Sequence, residues 1–131
     1  MLLIHDVVEI DTGDTFLYDD NEKKLAASAE NNAANRLFGL LPDPQKDEYI
    51  NLWHEFEERQ TDEANCAAVI DGLQPLLNHV ITGNENENPH EMTKSQVIEK
   101  KKFIKEFSPQ LWEVAKDLIG KGVMKGLYKD E

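Results

Sequence analysis

One cysteine, Cys66, occurs among 131 residues. An intrachain disulfide is therefore excluded, and the small residues at 64–68 around it read as core. Proline and glycine are few, at 5 and 7, while 40% of the residues are hydrophobic, enough for a real core. With no low-complexity tract and no internal repeat, wholesale disorder is excluded. No apolar run approaches the ~20 residues of a membrane-spanning helix. Residues 1–4 are apolar, but His5, Asp6 and Glu9 interrupt them and no cationic start precedes them, so they do not read as a signal peptide. A soluble, cytoplasmic protein without a membrane partner is expected. Positive charge is scarce, with 14 Lys and Arg against 26 Asp and Glu and a net charge of −12. Such a surface repels polyanions, so a nucleic acid polymer is not an expected partner. A small phosphorylated substrate needs a local cation. Only Arg36 and Arg59 offer a forked phosphate contact, and a bound divalent metal is the other solution.

What is present is mostly helical. The length suits one domain, 1–131. Residues 1–10 carry apolar side chains on every side, which fits a buried helix or a buried strand; the helical character of its neighbours favours helix. Residues 11–21 have loop composition. An alanine-rich helix follows over 22–40, closed by Pro42. Over 44–59, Tyr49, Trp53 and Phe56 define one apolar face. Thr61 is placed to cap a helix reaching about Ile81, with a kink expected at Pro75. Residues 82–92 form a polar loop. Thr93 and Gln96 form a capping box for a helix to Phe107, and Ser108-Pro109 opens a last helix that carries Leu111, Trp112, Ala115, Leu118 and Ile119 and fades near Gly122. The expected class is all-α, about six helices, packed irregularly.

Charged groups stand where a core is expected. In the first segment Leu2, Leu3, Ile4, Val7, Val8 and Ile10 call for burial, yet His5, Asp6 and Glu9 lie among them. On an α-helix, His5 with Glu9 and Asp6 with Glu9 share faces. A buried carboxylate needs a partner or a metal; a polar surface stripe is the other reading. Asp71 continues the face of Ala64, Ala67 and Ala68, which marks close helix contact around a carboxylate. It binds a metal or accepts hydrogen bonds from a neighbouring cap. One His and two Asp suit Mn, Co, Fe, Zn or Mg as divalent ions, without choosing among them. His54, His79 and His90 have no partner at ligand spacing.

Four ordered segments carry a family resemblance. Residues 3–15, LIHDVVEIDTGDT, resemble the "HD…E…GD" segment of the HD-domain metal-dependent phosphohydrolases, in their 5′-deoxynucleotidase-like branch. Residues 37–42 (LFGLLP), 52–57 (LWHEFE) and 70–78 (IDGLQPLLN) are similar to three further segments of that branch, in the same order. The resemblance implies an irregular helical HD-domain fold and a metal held by two His and two Asp, with His5, Asp6 and Asp71 matching three of them. It implies that Glu9 and Asp14 position or activate the attacking water. The implied reaction is hydrolysis of a (deoxy)nucleoside 5′-monophosphate to nucleoside and phosphate. In that family the first metal histidine lies on an upstream helix that this sequence does not contain, so an N-terminally truncated domain with impaired activity is expected. The alternative is a non-catalytic HD-fold remnant that serves as a scaffold. The family also implies a homo-oligomer. Leaving Leu2, Leu3 and Ile4 uncovered forgoes ~1.5–3 kcal/mol for each side chain, so residues 2–10 are expected either to form an apolar surface patch or to be covered by another molecule.

Overall fold

The computed structural model describes the backbone of residues 1–13 and 20–131 and the side chains of all but 14–27. A short 3-10 helix, His5–Val8, is followed by α1 (Glu9–Thr12), α2 (Asp20–Phe38), α3 (Gln45–Glu58), α4 (Asp62–Thr82), α5 (Lys94–Lys101), α6 (Phe103–Phe107) and α7 (Pro109–Met124). Among the described residues the only β pairing is an isolated parallel bridge between Thr93 and Lys129. The class is all-α. The chain divides into two compact units, Met1–Ala67 and Ala68–Glu131, with α4 belonging to both.

In the first unit Val8, Ala33, Ala34, Phe38 and Trp53 form a buried cluster, flanked by Ile4, Val7, Leu37, Leu41, Tyr49 and Ile50. Adjacent alanines on α2 allow the 3-10 helix and α1 to lie close against it, since a methyl group keeps neighbouring backbones near one another. The expected face of α3 is present: Trp53 and Phe56 are each 4% exposed, and Tyr49 is half-buried. Thr61 caps α4 by accepting from the Ala64 backbone N–H at 3.1 Å. Cys66 is a correction, because it is exposed. Ala64, Ala67 and Ala68 are buried, and at 100° per residue position 66 falls on the opposite side of the helix.

In the second unit α7 packs against α5 and α6. Val97, Ile104, Ile119 and Leu127 are the largest of its fully buried side chains. The capping box at Thr93 and Gln96 is formed in both directions. Ser108 accepts from the Leu111 N–H at 3.2 Å, with Pro109 in the first turn. α4 continues through Pro75 as one helix to Thr82. The single helix expected up to Phe107 is divided at Lys102, where a Lys105 N–H to Lys102 carbonyl bond of 3.0 Å tightens the turn to the three-residue repeat. Leu111 is 38% exposed, while its neighbour Trp112 in the same turn is 8% exposed. Gly122 lies under the ring of Tyr128, and a Cβ there would overlap it. Burial in turn pushes the Tyr128 hydroxyl above its ordinary pKa.

Two substitutions test this packing by chemical denaturation. Ile104→Ala is expected to lose ~2–5 kcal/mol and Gly122→Ala ~1–3 kcal/mol through the clash with Tyr128. Leu40→Ala, at a side chain 75% exposed, is the control and is expected to stay within ~0.5 kcal/mol of the parent.

Candidate metal centre

His5–Val8 is wound as a 3-10 helix, with three residues per turn, so His5 and Val8 stack on one side. Val8 is 4% exposed and belongs to the core cluster. His5 follows it inward, its side chain 12% exposed. The imidazole lies against Phe56, with ring centroids 4.5 Å apart. Its Nδ1 is 2.9 Å from the Leu2 carbonyl oxygen. A carbonyl only accepts, so Nδ1 carries the hydrogen, and Nε2 presents its lone pair when the ring is neutral. A backbone carbonyl on one ring nitrogen is the usual way a metal-binding histidine is oriented.

Nε2 in turn lies 2.9 Å from Asp6 Oδ1, on a carboxylate 65% exposed. Two lone pairs this close call for a positive charge between them, either a proton on the ring or a metal ion. Ligand bonds of ~2.0–2.2 Å at about a right angle place neighbouring donor atoms ~3 Å apart. His5 and Asp6 therefore fit two adjacent positions around one ion.

The 3-10 winding changes how the acids align. At 120° per residue through Val8, Asp6 and Glu9 remain on one face, but His5 and Glu9 do not, as an α-helix would have had them. Glu9 is half-buried at the start of α1. Asp71 is half-buried on α4, in the second unit, three residues beyond Ala68 on the same face. Neither Glu9 nor Asp71 lacks an interaction of its own. Asp14 lies outside the described residues. The structure thus brings His5 and Asp6 together, and among the described residues no group of three or more His, Cys, Asp and Glu is placed to hold a metal ion.

Arg36 is a second correction. Its fork is not open to a phosphate, because Nε donates to Asp11 Oδ2 and Nη2 to Oδ1, each at 2.5 Å. Asp11 was expected in a loop but belongs to α1. No local signal announces this pair, since 25 positions separate its members and the contact exists only once α1 lies on α2. The bonds from Arg36 hold the Asp11 carboxyl below its ordinary pKa, and those to Asp11 raise Arg36. Beside the pair runs a groove of about 510 Å³ lined by Asp11, Thr12, Ala29, Asn32, Ala33 and Arg36. A second cleft of about 450 Å³ opens along α3, where Asn51, His54, Glu55 and Glu58 meet Gln60 and Thr61.

A profile of the HD domain matches residues 1–112. The chain belongs to the HD-domain family. The matched stretch runs from before His5 to beyond Asp71 and crosses the boundary between the two units. Over 77 residues, 59% of the chain, this HD domain is 31% identical to 5′-deoxynucleotidase HDDC2 of Danio rerio. Over the same length it is 34% identical to that of Xenopus laevis. The match spans 38% of each of these relatives. The crystal structure of a predicted metal-dependent phosphohydrolase from Magnetospirillum magnetotacticum MS-1 superimposes with a TM-score of 0.80 at 43% identity, covering 96% of this HD domain and 64% of that chain.

The depressed Asp11 gives the first unit a pH dependence of definite sign. A carboxylate with a lowered folded pKa stabilises above its unfolded pKa, and that stabilisation is lost as pH falls through the folded value. The parent is expected to melt above Asp11→Asn at pH 7, with the gap closing as the pH drops below about 4. A gap of constant size across that range, measured by thermal melting, would contradict the assignment.

Proposed function

We propose that this HD domain is a metal-dependent phosphomonoesterase acting on (deoxy)nucleoside 5′-monophosphates, with water as the acceptor and nucleoside and phosphate as products. The observation that carries the proposal is the His5–Asp6 pair. One imidazole nitrogen is fixed by Leu2, the ring is held on Phe56, and the other nitrogen lies 2.9 Å from a carboxylate oxygen. The kinship with proteins named 5′-deoxynucleotidase and metal-dependent phosphohydrolase supports the substrate class. In this reading His5, Asp6 and Asp71 are the chain's ligands for a divalent ion. When bound, such an ion polarises a phosphoryl oxygen and makes its water more acidic. Glu9, on the face it shares with Asp6, takes the proton of the attacking water, and Asp14 assists in orienting that water.

No described helix is long and apolar enough to cross a membrane. A cytoplasmic location belongs to this proposal, and so does a homo-oligomer formed through the segment in which Leu3 is 96% and Ile10 74% exposed, because exposed apolar groups of this kind mark interfaces. A second reading, a scaffold without activity, draws on the absence of a three-ligand group among the described residues. It predicts the same fold and association with no turnover.

The deciding assay is phosphate release from a panel of deoxynucleoside monophosphates with Mn²⁺ or Co²⁺ added, against a chelator control. Weak release is expected, since among the described residues only His5 and Asp6 are brought together. Asp71→Ala is expected to remove it, and His5→Ala to lower Mn²⁺ affinity by ~10-fold or more. Absence of release with every metal would favour the scaffold. Release unaffected by both substitutions would show that these residues are not the ligands.

A further inference from the structure

We propose that Arg36 and Asp11 form a latch that positions the metal-binding segment, so that Arg36 acts on the metal centre through α1 rather than by touching substrate. The inference rests on the metal reading above and adds to it a residue on another helix. The segment from His5 to Thr12 is two four-residue helices with no side-chain cap at either start, and it ends at Gly13 in a left-handed backbone conformation, φ 75°. So short a helix does not hold its own shape in water. Val8 anchors it, with Ile4 and Val7 beside it. Those contacts are apolar and without direction, so they set how closely the segment approaches α2; the His5 ring on Phe56 steadies its start, and the turn at Asp11 and Thr12 keeps freedom to roll about the axis.

The fork removes that freedom. Two parallel N–H···O bonds from a planar guanidinium fix distance and orientation together. Asp11 and Thr12 lie three and four residues after Val8, on the side that meets α2. Asp6 and Glu9 then lie about 100–120° around the segment axis from Val8. Ala29, Asn32, Ala33 and Arg36 recur at helical spacing along the facing side of α2, and the small residues among them bring the Asp11 carboxylate within reach of the guanidinium. Asp11 is the more covered partner, its side chain 27% exposed against 57% for Arg36.

The test compares Arg36→Gln, Arg36→Lys and Asp11→Asn with the parent 131-residue chain by two readouts. Amide hydrogen exchange without metal is followed at residues 5–13 and, as an internal control, along α3. Mn²⁺ affinity is measured by calorimetry. The latch predicts faster exchange at 5–13 with α3 unchanged, and Mn²⁺ affinity lowered ~10-fold, as when a group supporting a metal ligand is lost. Lysine keeps the charge but not the fork, so Arg36→Lys should behave like Arg36→Gln; parental behaviour in the lysine variant would overturn the fork. Equal acceleration at 5–13 and α3 would mean general destabilisation and would also overturn the latch. So would Mn²⁺ affinity within twofold of the parent despite faster exchange. A parent chain that binds no Mn²⁺ defeats the metal reading, and is recognisable as such because the exchange contrast, taken without metal, decides by itself whether the fork orders the segment.

Discussion

Eight helical residues too few to be stable alone bear His5, Asp6 and Glu9 of the proposed site, and their docking on α2 is the contact on which the rest of the first unit depends. Val8 supplies the hydrophobic term and Asp11 with Arg36 the directional one. His5 is turned inward because 3-10 winding stacks it on Val8, so burial of an aliphatic side chain three residues away determines where an imidazole points. Packing and chemistry are one problem here.

The two units rely on different devices. The first is built on alanines and aromatic side chains, with α2 bearing small residues where the short segment lies against it. The second has well-capped helices, at Thr93 and Ser108, and a chain end that returns to pair with the turn before α5: Lys129 N–H donates to the Met92 carbonyl at 2.9 Å, and Lys94 N–H to the Lys129 carbonyl at 2.9 Å. Caps satisfy backbone groups that would otherwise lack partners at helix ends. The His5–Thr12 segment has no side-chain cap at either start, and in the proposed latch a long-range ion pair orders it instead.

Much of the fold was legible residue by residue. The face of Tyr49, Trp53 and Phe56, the caps at Thr61, Thr93 and Ser108, and the buried run from Trp112 to Ile119 all follow from spacing within a single helix, and local spacing is a property of the sequence alone. The readings that changed depend on what lies across from a residue. Cys66 was assigned to the core by its small neighbours, but the helix turns it outward. The division at Lys102 has no Gly or Pro to announce it. For the candidate site, His5 and Asp6 were visible as a polar interruption in an apolar run, and the 3-10 winding that brings their donor atoms to 2.9 Å was not.

The sequence by itself determined the all-α class, the ends of the capped helices, the net charge of −12, and kinship with the HD-domain family through four ordered segments. Those properties are set by neighbours within a turn or two, or by composition. Only the tertiary structure decided that Arg36 is committed to Asp11, that His5 rests on Phe56 with its Nδ1 held by Leu2, and that Leu3 and Ile10 face outward. The physical reason is the same for the two side-chain contacts made across helices. Their energies depend on distance and direction between helices, and those are fixed by which apolar faces meet rather than by any pattern along one of them.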